Sequence, residues 1–161
     1  MSMSTHVDDS GAARMVDVGE KPETARWATA CARVKLSAVV AARIGENAMA
    51  KGDVLAVARL AGIMAAKRTA ELIPLCHSVR LCAVAVDFTF GEGCIDVRAQ
   101  ASARDRTGVE MEALTAACVA ALTIYDMCKS ADRSMVIEYV RLEEKAGGKS
   151  GHFRRAAGGD P

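Results

Sequence analysis

From Ala25 to Leu36 the chain alternates. Ala28, Ala30, Ala32, Val34 and Leu36 fall on one side and Thr29, Arg33 and Lys35 on the other, which is the period-2 pattern of a strand with one face in a core. A short helix is expected near Ser37 to Ile44. Gly52-Asp53 then opens an alanine-rich stretch, Val54 to Arg68, with Val57, Leu60, Ala61 and Met64 at helical spacing. That spacing predicts a helix buried on most sides, with those four residues in its apolar stripe. Lys67 and Arg68 close it with cations that suit the negative end of the helix dipole, and Pro74 blocks a long continuation. Further on, Val84, Val86, Phe88 and Phe90 alternate with polar or small residues. After Gly91-Glu92-Gly93, the positions Ile95, Val97, Ala99, Ala101 and Ala103 do the same, so the two runs predict a hairpin. Gly108 precedes a long helix, about Val109 to Ser130, with Leu114, Ala117, Cys118, Ala121, Leu122 and Tyr125 as its expected stripe. A last strand runs from about Met135 to Leu142.

The order strand, helix, strand, strand, helix, strand is a βαββαβ core. It predicts an α+β, ferredoxin-like antiparallel sheet with helices packed on one face. Such a sheet leaves its other face bare, and a second copy of the chain is the expected cover. Residues 1–12 are polar and acidic and read as a flexible N-terminal segment. Residues 13–146 form a single domain, and residues 147–161 a mobile tail holding five of the 13 glycines.

Composition narrows the function. A chain of 161 residues with 51% hydrophobic positions is one domain with a sizeable core. Lys and Arg number 21 against 20 Asp and Glu, a net charge of +1, and there are only six aromatic residues, so a nucleic-acid polymer is excluded as the main partner. The balance is uneven, however. Residues 51–80 hold five cations and two acids and residues 129–155 seven and four, two basic stretches that suit a small anion. No apolar run approaches the ~20 residues that cross a bilayer, and the amino terminus lacks the pattern of a secretory signal, so a cytoplasmic protein is expected. Six cysteines without a C-x-x-C pair read as reduced thiols. With three histidines, two of them near the termini, no metal site is expected.

Several ionisable residues stand out. Lys51 precedes Gly52-Asp53 and a helix start, a place suited to phosphate or simply to a solvated lysine. His77, after Ile73-Pro74-Leu75-Cys76, suits a general acid or base, a substrate contact or a structural histidine. Asp126 and Lys129 sit at i and i+3 and can meet. An acid in the last turns of a helix faces the negative end of the dipole, which Glu110 at the start does not. Glu112 and Asp126 share roughly one stripe but lie about 21 Å apart along the helix. Either the ligand is long or neighbouring copies bring opposite ends together. Lys145 and Lys149 flank Gly147-Gly148. The run through Ser150 is not a P-loop, since Glu143 takes the first glycine's place and no helix follows.

These features converge on a family. Met15-Val16-Asp17-Val18, Lys51-Gly52-Asp53-Val54, Ala65-Ala66-Lys67-Arg68-Thr69, Leu72-Ile73-Pro74-Leu75-Cys76-His77, Gly108-Val109-Glu110-Met111-Glu112, Tyr125-Asp126-Met127-Cys128-Lys129 and Gly147-Gly148-Lys149-Ser150-Gly151 together resemble the molybdenum cofactor biosynthesis protein C family, the cyclic pyranopterin monophosphate synthases. The resemblance runs from about Ala13 to Phe153 and departs at Ser78, where many members have proline. It implies a phosphorus-oxygen lyase that turns (8S)-3′,8-cyclo-7,8-dihydroguanosine 5′-triphosphate into cyclic pyranopterin monophosphate and diphosphate. It implies a homohexamer, a trimer of dimers, with sites at dimer interfaces and a transient contact with the upstream radical enzyme. Asp126, Lys129 and Lys51 take the catalytic positions. Leu75, Cys76, His77, Met111 and Glu112 take substrate contacts, and Glu110 and Lys145 stand at functional positions. Lys67, Arg68 and Lys149 are further candidates for the phosphates. No cofactor is required, although Mg²⁺ can accompany the triphosphate. A regulatory module that binds a nucleotide without chemistry, or an oligomeric scaffold, would use the same elements differently.

Overall fold

The structure, a computed structural model, describes residues 7, 10–149 and 151–156. Most of the expected N-terminal flexible segment and the last residues of the tail lie outside the described residues. In chain order the elements are β1 (Thr24–Lys35), α1 (Ala38–Gly45), α2 (Val54–Lys67), α3 (Thr69–Leu72), β2 (Leu81–Gly91), β3 (Cys94–Asp105), α4 (Glu110–Cys128), β4 (Val136–Ala146) and β5 (Phe153–Arg154). The sheet order is β2-β3-β1-β4-β5 and every neighbouring pair is antiparallel. This is the ferredoxin-like arrangement expected, with β5 added at one edge.

Local chemistry starts the helices. The Ser37 hydroxyl accepts from Val40 N at 3.4 Å and opens α1, and the Asp53 carboxylate accepts from Ala56 N at 2.9 Å and opens α2. No side chain caps α4, but Glu110 and Glu112 occupy its first turn, where acids favour the dipole. The inward face of β1, Ala28, Ala30, Ala32 and Val34, is fully buried in one core with Ala113, Ala116, Ala117, Ala120 and Ala121 of α4.

The helical stripes depart from expectation. Val57, Leu60 and Met64 of α2 are 44%, 63% and 51% exposed, and Leu122 of α4 is 51% exposed. Val54, Ala58, Gly62, Ala65 and Ala66 take the inner side of α2 instead. The cause is room. A Cβ on Gly62 would come 2.9 Å from the Ala116 carbonyl oxygen and 3.3 Å from the Ala120 Cβ, so α2 and α4 meet almost backbone to backbone. Only small residues fit between them, and the larger ones turn outward.

At 19 residues α4 is long and apolar enough by composition to cross a membrane. More than half of it is buried within the protein, as the core helix of this fold. Beyond β4, the chain turns through Gly147 and Gly148, both at positive φ, and returns as β5, which the sequence did not predict. His152 Nε2 donates to Glu144 Oε1 (2.8 Å) and its ring lies 6.0 Å from the Trp27 ring, and Arg155 N donates to the Glu143 carbonyl at 2.8 Å. These contacts dock the tail on β4 and β1.

Candidate active site

At the C-terminal end of α4, three predicted residues meet. Lys129 Nζ lies 2.7 Å from Asp126 Oδ1, and Lys51 Nζ lies 3.1 Å from Asp126 Oδ2 while also donating to the Asp126 carbonyl at 2.9 Å. The two ammonium groups answer the dipole argument against an acid here. Hydrogen bonds from Lys129 and then Lys51 hold the Asp126 carboxyl below its usual range, and Asp126 in turn raises Lys129. All three side chains are about half exposed, so they are available to a ligand. Lys51 reaches across because Gly52, at φ 86°, turns the chain sharply before the Asp53 cap.

Asp132 fixes this end of the molecule. Its carboxylate accepts from Ser37 N at 2.8 Å, Ser134 N at 2.9 Å and Ser134 Oγ at 2.6 Å, tying the turn after α4 to the start of α1. The Ser134 hydroxyl and the two backbone amides hold it at about 2.

The opposite end of α4 carries a second cluster. Glu110 Oε1 pairs with Lys145 Nζ at 2.6 Å. Glu112 is only 3% exposed, and its Oε1 lies 4.0 Å from Cys76 Sγ. His77 Nε2 donates to the Val16 carbonyl at 2.7 Å, which assigns its proton to that nitrogen and anchors the segment before β1. Leu75, Cys76, His77, Glu110, Met111, Val16 and Val18 line a hollow of about 370 Å³.

A second hollow of about 490 Å³ adjoins it, sharing Lys21, Thr107, Gly108 and Glu110. Lys21, Arg26, Arg106 and Lys149 give it four cations. The Nε atoms of Arg26 and Arg106 are buried with no hydrogen-bond partner, a cost that an anion would remove. A Cβ on Gly148 would collide with the Arg26 guanidinium, so glycine is what lets the tail lie over it. Lys21, Arg26 and Arg106 were not singled out in the sequence. The signal was present in the topology: β1 and β3 pair with Arg26 opposite Ala103, which brings residue 106 beside the start of β1.

Lys67 and Arg68, offered as phosphate ligands, sit exposed at the end of α2, and no described contact joins them to either cluster. A further hollow, about 860 Å³ on the outer face of the sheet, shares none of the residues named in the two clusters.

A ferredoxin-like sheet with an acid gripped by two lysines at one end of its core helix, and a buried acid beside a cation-lined hollow at the other, has the make-up of an enzyme. The chain belongs to the MoaC family, which it matches over residues 15–148. It is 58% identical over 157 residues to the cyclic pyranopterin monophosphate synthase of Thermomicrobium roseum, covering 96% of this chain and 95% of that protein. The protein of the same name from Heliobacterium modesticaldum is 54% identical over 157 residues, 96% of this chain and 99% of its own length. Cyclic pyranopterin monophosphate synthase 1 of Mycobacterium bovis is 56% identical over 154 residues, 95% and 91% of the two chains.

Proposed function

We propose that this protein catalyses the cyclic pyranopterin monophosphate synthase reaction of molybdenum cofactor biosynthesis, with (8S)-3′,8-cyclo-7,8-dihydroguanosine 5′-triphosphate as substrate and diphosphate as the second product. It is a lyase. The observation that carries the reading is Asp126 held between Lys51 and Lys129, a carboxylate and two ammonium groups placed for proton transfer during purine opening and pyran formation. The 370 Å³ hollow takes the ring system, with Glu110 and the backbone beside Leu75, Cys76 and Met111 as polar contacts. The adjoining cationic hollow takes the triphosphate, where Lys21, Arg26, Arg106 and Lys149 neutralise charge as diphosphate leaves. Any Mg²⁺ arrives with the triphosphate.

The two clusters stand at opposite ends of a continuous α4, about 21 Å apart along its axis. One substrate reaches both only if the Asp126 end of one copy faces the Glu110 end of another. The outward Val57, Leu60 and Met64 on α2 support such an assembly, which we take to be a cytoplasmic homohexamer, a trimer of dimers that receives its labile substrate from the upstream radical enzyme.

Incubation with the cyclic dihydro-nucleotide tests the reading. The wild-type protein is expected to release diphosphate and form the pterin product, and Asp126→Asn to lose about 10²–10⁴-fold in kcat. Binding without diphosphate release by the wild type would make the protein a regulatory nucleotide module instead.

A further inference from the structure

The first turn of α4 presents two carboxyl groups in opposite settings. Glu110 is paired with Lys145 Nζ at 2.6 Å and is partly open to solvent. Glu112 is 3% exposed, no cationic side chain pairs with it among the described residues, and its Oε2 is a buried atom without a hydrogen-bond partner. An ionised carboxylate in that position would leave a full charge buried and half unsatisfied, a far larger cost than that of a neutral acid. The surrounding charges agree. Facing Glu112 are Asp105 from the end of β3, Glu110 on its own helix and Cys76 from the segment before β2; Lys145 of β4 is engaged with Glu110. Burial is the largest influence and pushes the Glu112 carboxyl up. Its own backbone N–H opposes this, while Glu110 and Asp105 add to it. The Cys76 thiol is also pushed up, by burial first of all, so it too stays protonated.

We propose that Glu112 stands as a neutral carboxylic acid behind Cys76, and that the pair forms a short proton relay into the hollow that holds the ring. Cys76 lines that hollow whereas Glu112 does not, so the acid reaches the substrate only through the sulfur at 4.0 Å. When a substrate atom takes up a proton, the Cys76 S–H bond breaks towards it and the Glu112 proton passes to the sulfur. The thiol is restored and Glu112 is left as a carboxylate. A proton released later in the same reaction returns along the reverse path and restores the acid, so no net proton is consumed. Cys76 is the catalytic residue of the pair and Glu112 the positioning and proton-storing residue. Two acids two residues apart in the first turn of α4, one paired with a lysine and one buried without a cation, thereby divide the work. The relay rests on the proposed reaction; the protonation state does not.

The experiment has a readout for each. Infrared difference spectra of the full-length wild type against Glu112→Gln at neutral pH should show a protonated-carboxyl band in the wild type that the variant lacks. Absence of that band overturns the proposal whatever the enzyme turns over. With the cyclic dihydro-nucleotide as substrate, Cys76→Ala should lose about 10²-fold in kcat with little change in KM, and Cys76→Ser should recover part of it. The wild-type kcat should fall on the alkaline side as Glu112 ionises, and Glu112→Gln should lack that limb. Wild-type kcat and an unchanged pH profile in both Cys76→Ala and Glu112→Gln, in a protein whose wild type is active, would end the relay and leave the proposed function standing. If Glu112→Gln does not fold, the kcat of Cys76→Ala, which leaves the acid in place, decides the relay alone.

Discussion

Arg106 and Asp132 show what single residues do here. The Arg106 Nε is buried without a hydrogen bond, its ion pair with Glu23 Oε1 being long at 3.9 Å, and the Arg26 Nε across the hollow also lacks a hydrogen bond, so an anion entering between the two guanidinium groups gains hydrogen bonds at little cost in ordering. Arg106→Ala is expected to raise KM for the triphosphate substrate about ten- to a hundredfold, the equivalent of one to two charge-assisted hydrogen bonds, with a smaller change in kcat; steady-state kinetics measures it. Asp132 works by holding structure. Its carboxyl is at about 2 in the folded protein, below the ordinary aspartate value of ~3.9, so the stability it contributes is complete above the unfolded value and is lost as pH falls through the folded one. Asp132→Asn should therefore melt at a lower temperature than the wild type at neutral pH, and the two melting curves should converge as the pH approaches about 2.

At the scale of elements, the α2–α4 crossing decides the architecture. Gly62→Ala places a methyl carbon 2.9 Å from a backbone oxygen that cannot move alone, and should destabilise the fold by about 1–3 kcal/mol, measurable by urea unfolding. Periodicity made the strands, the hairpin and the two long helices legible, because alternation and 3.6-residue spacing survive whatever packs against them. It did not make legible which side of α2 or α4 faces in. Reading Leu60 and Leu122 as core assumes that the largest apolar residues are the most buried, and here the sheet offers a floor of alanines that rewards close approach over bulk. The site shows the same division. Asp126, Lys129 and Lys51 were readable from i, i+3 spacing and family motifs. Arg26 and Arg106 were not, because strand pairing alone brings them together, and the isolation of Lys67 and Arg68 follows from where α2 ends.

For the whole molecule, the straight run of α4 from Glu110 to Cys128 has a consequence for genetics as much as for structure. If each reaction centre takes the Asp126 end from one chain and the Glu112 end from another, two broken proteins can repair each other. Asp126→Asn and Glu112→Ala chains, each inactive alone, should regain activity when unfolded together and refolded in equal amounts, since half of the pairings are mixed and each mixed pair holds one centre with both ends intact. Random pairing through a two-fold interface sets the recovered specific activity at about one quarter of wild type. A centre enclosed within single chains would recover none. A harmful allele of this gene would then be silent or damaging according to which end of one helix its neighbour had lost.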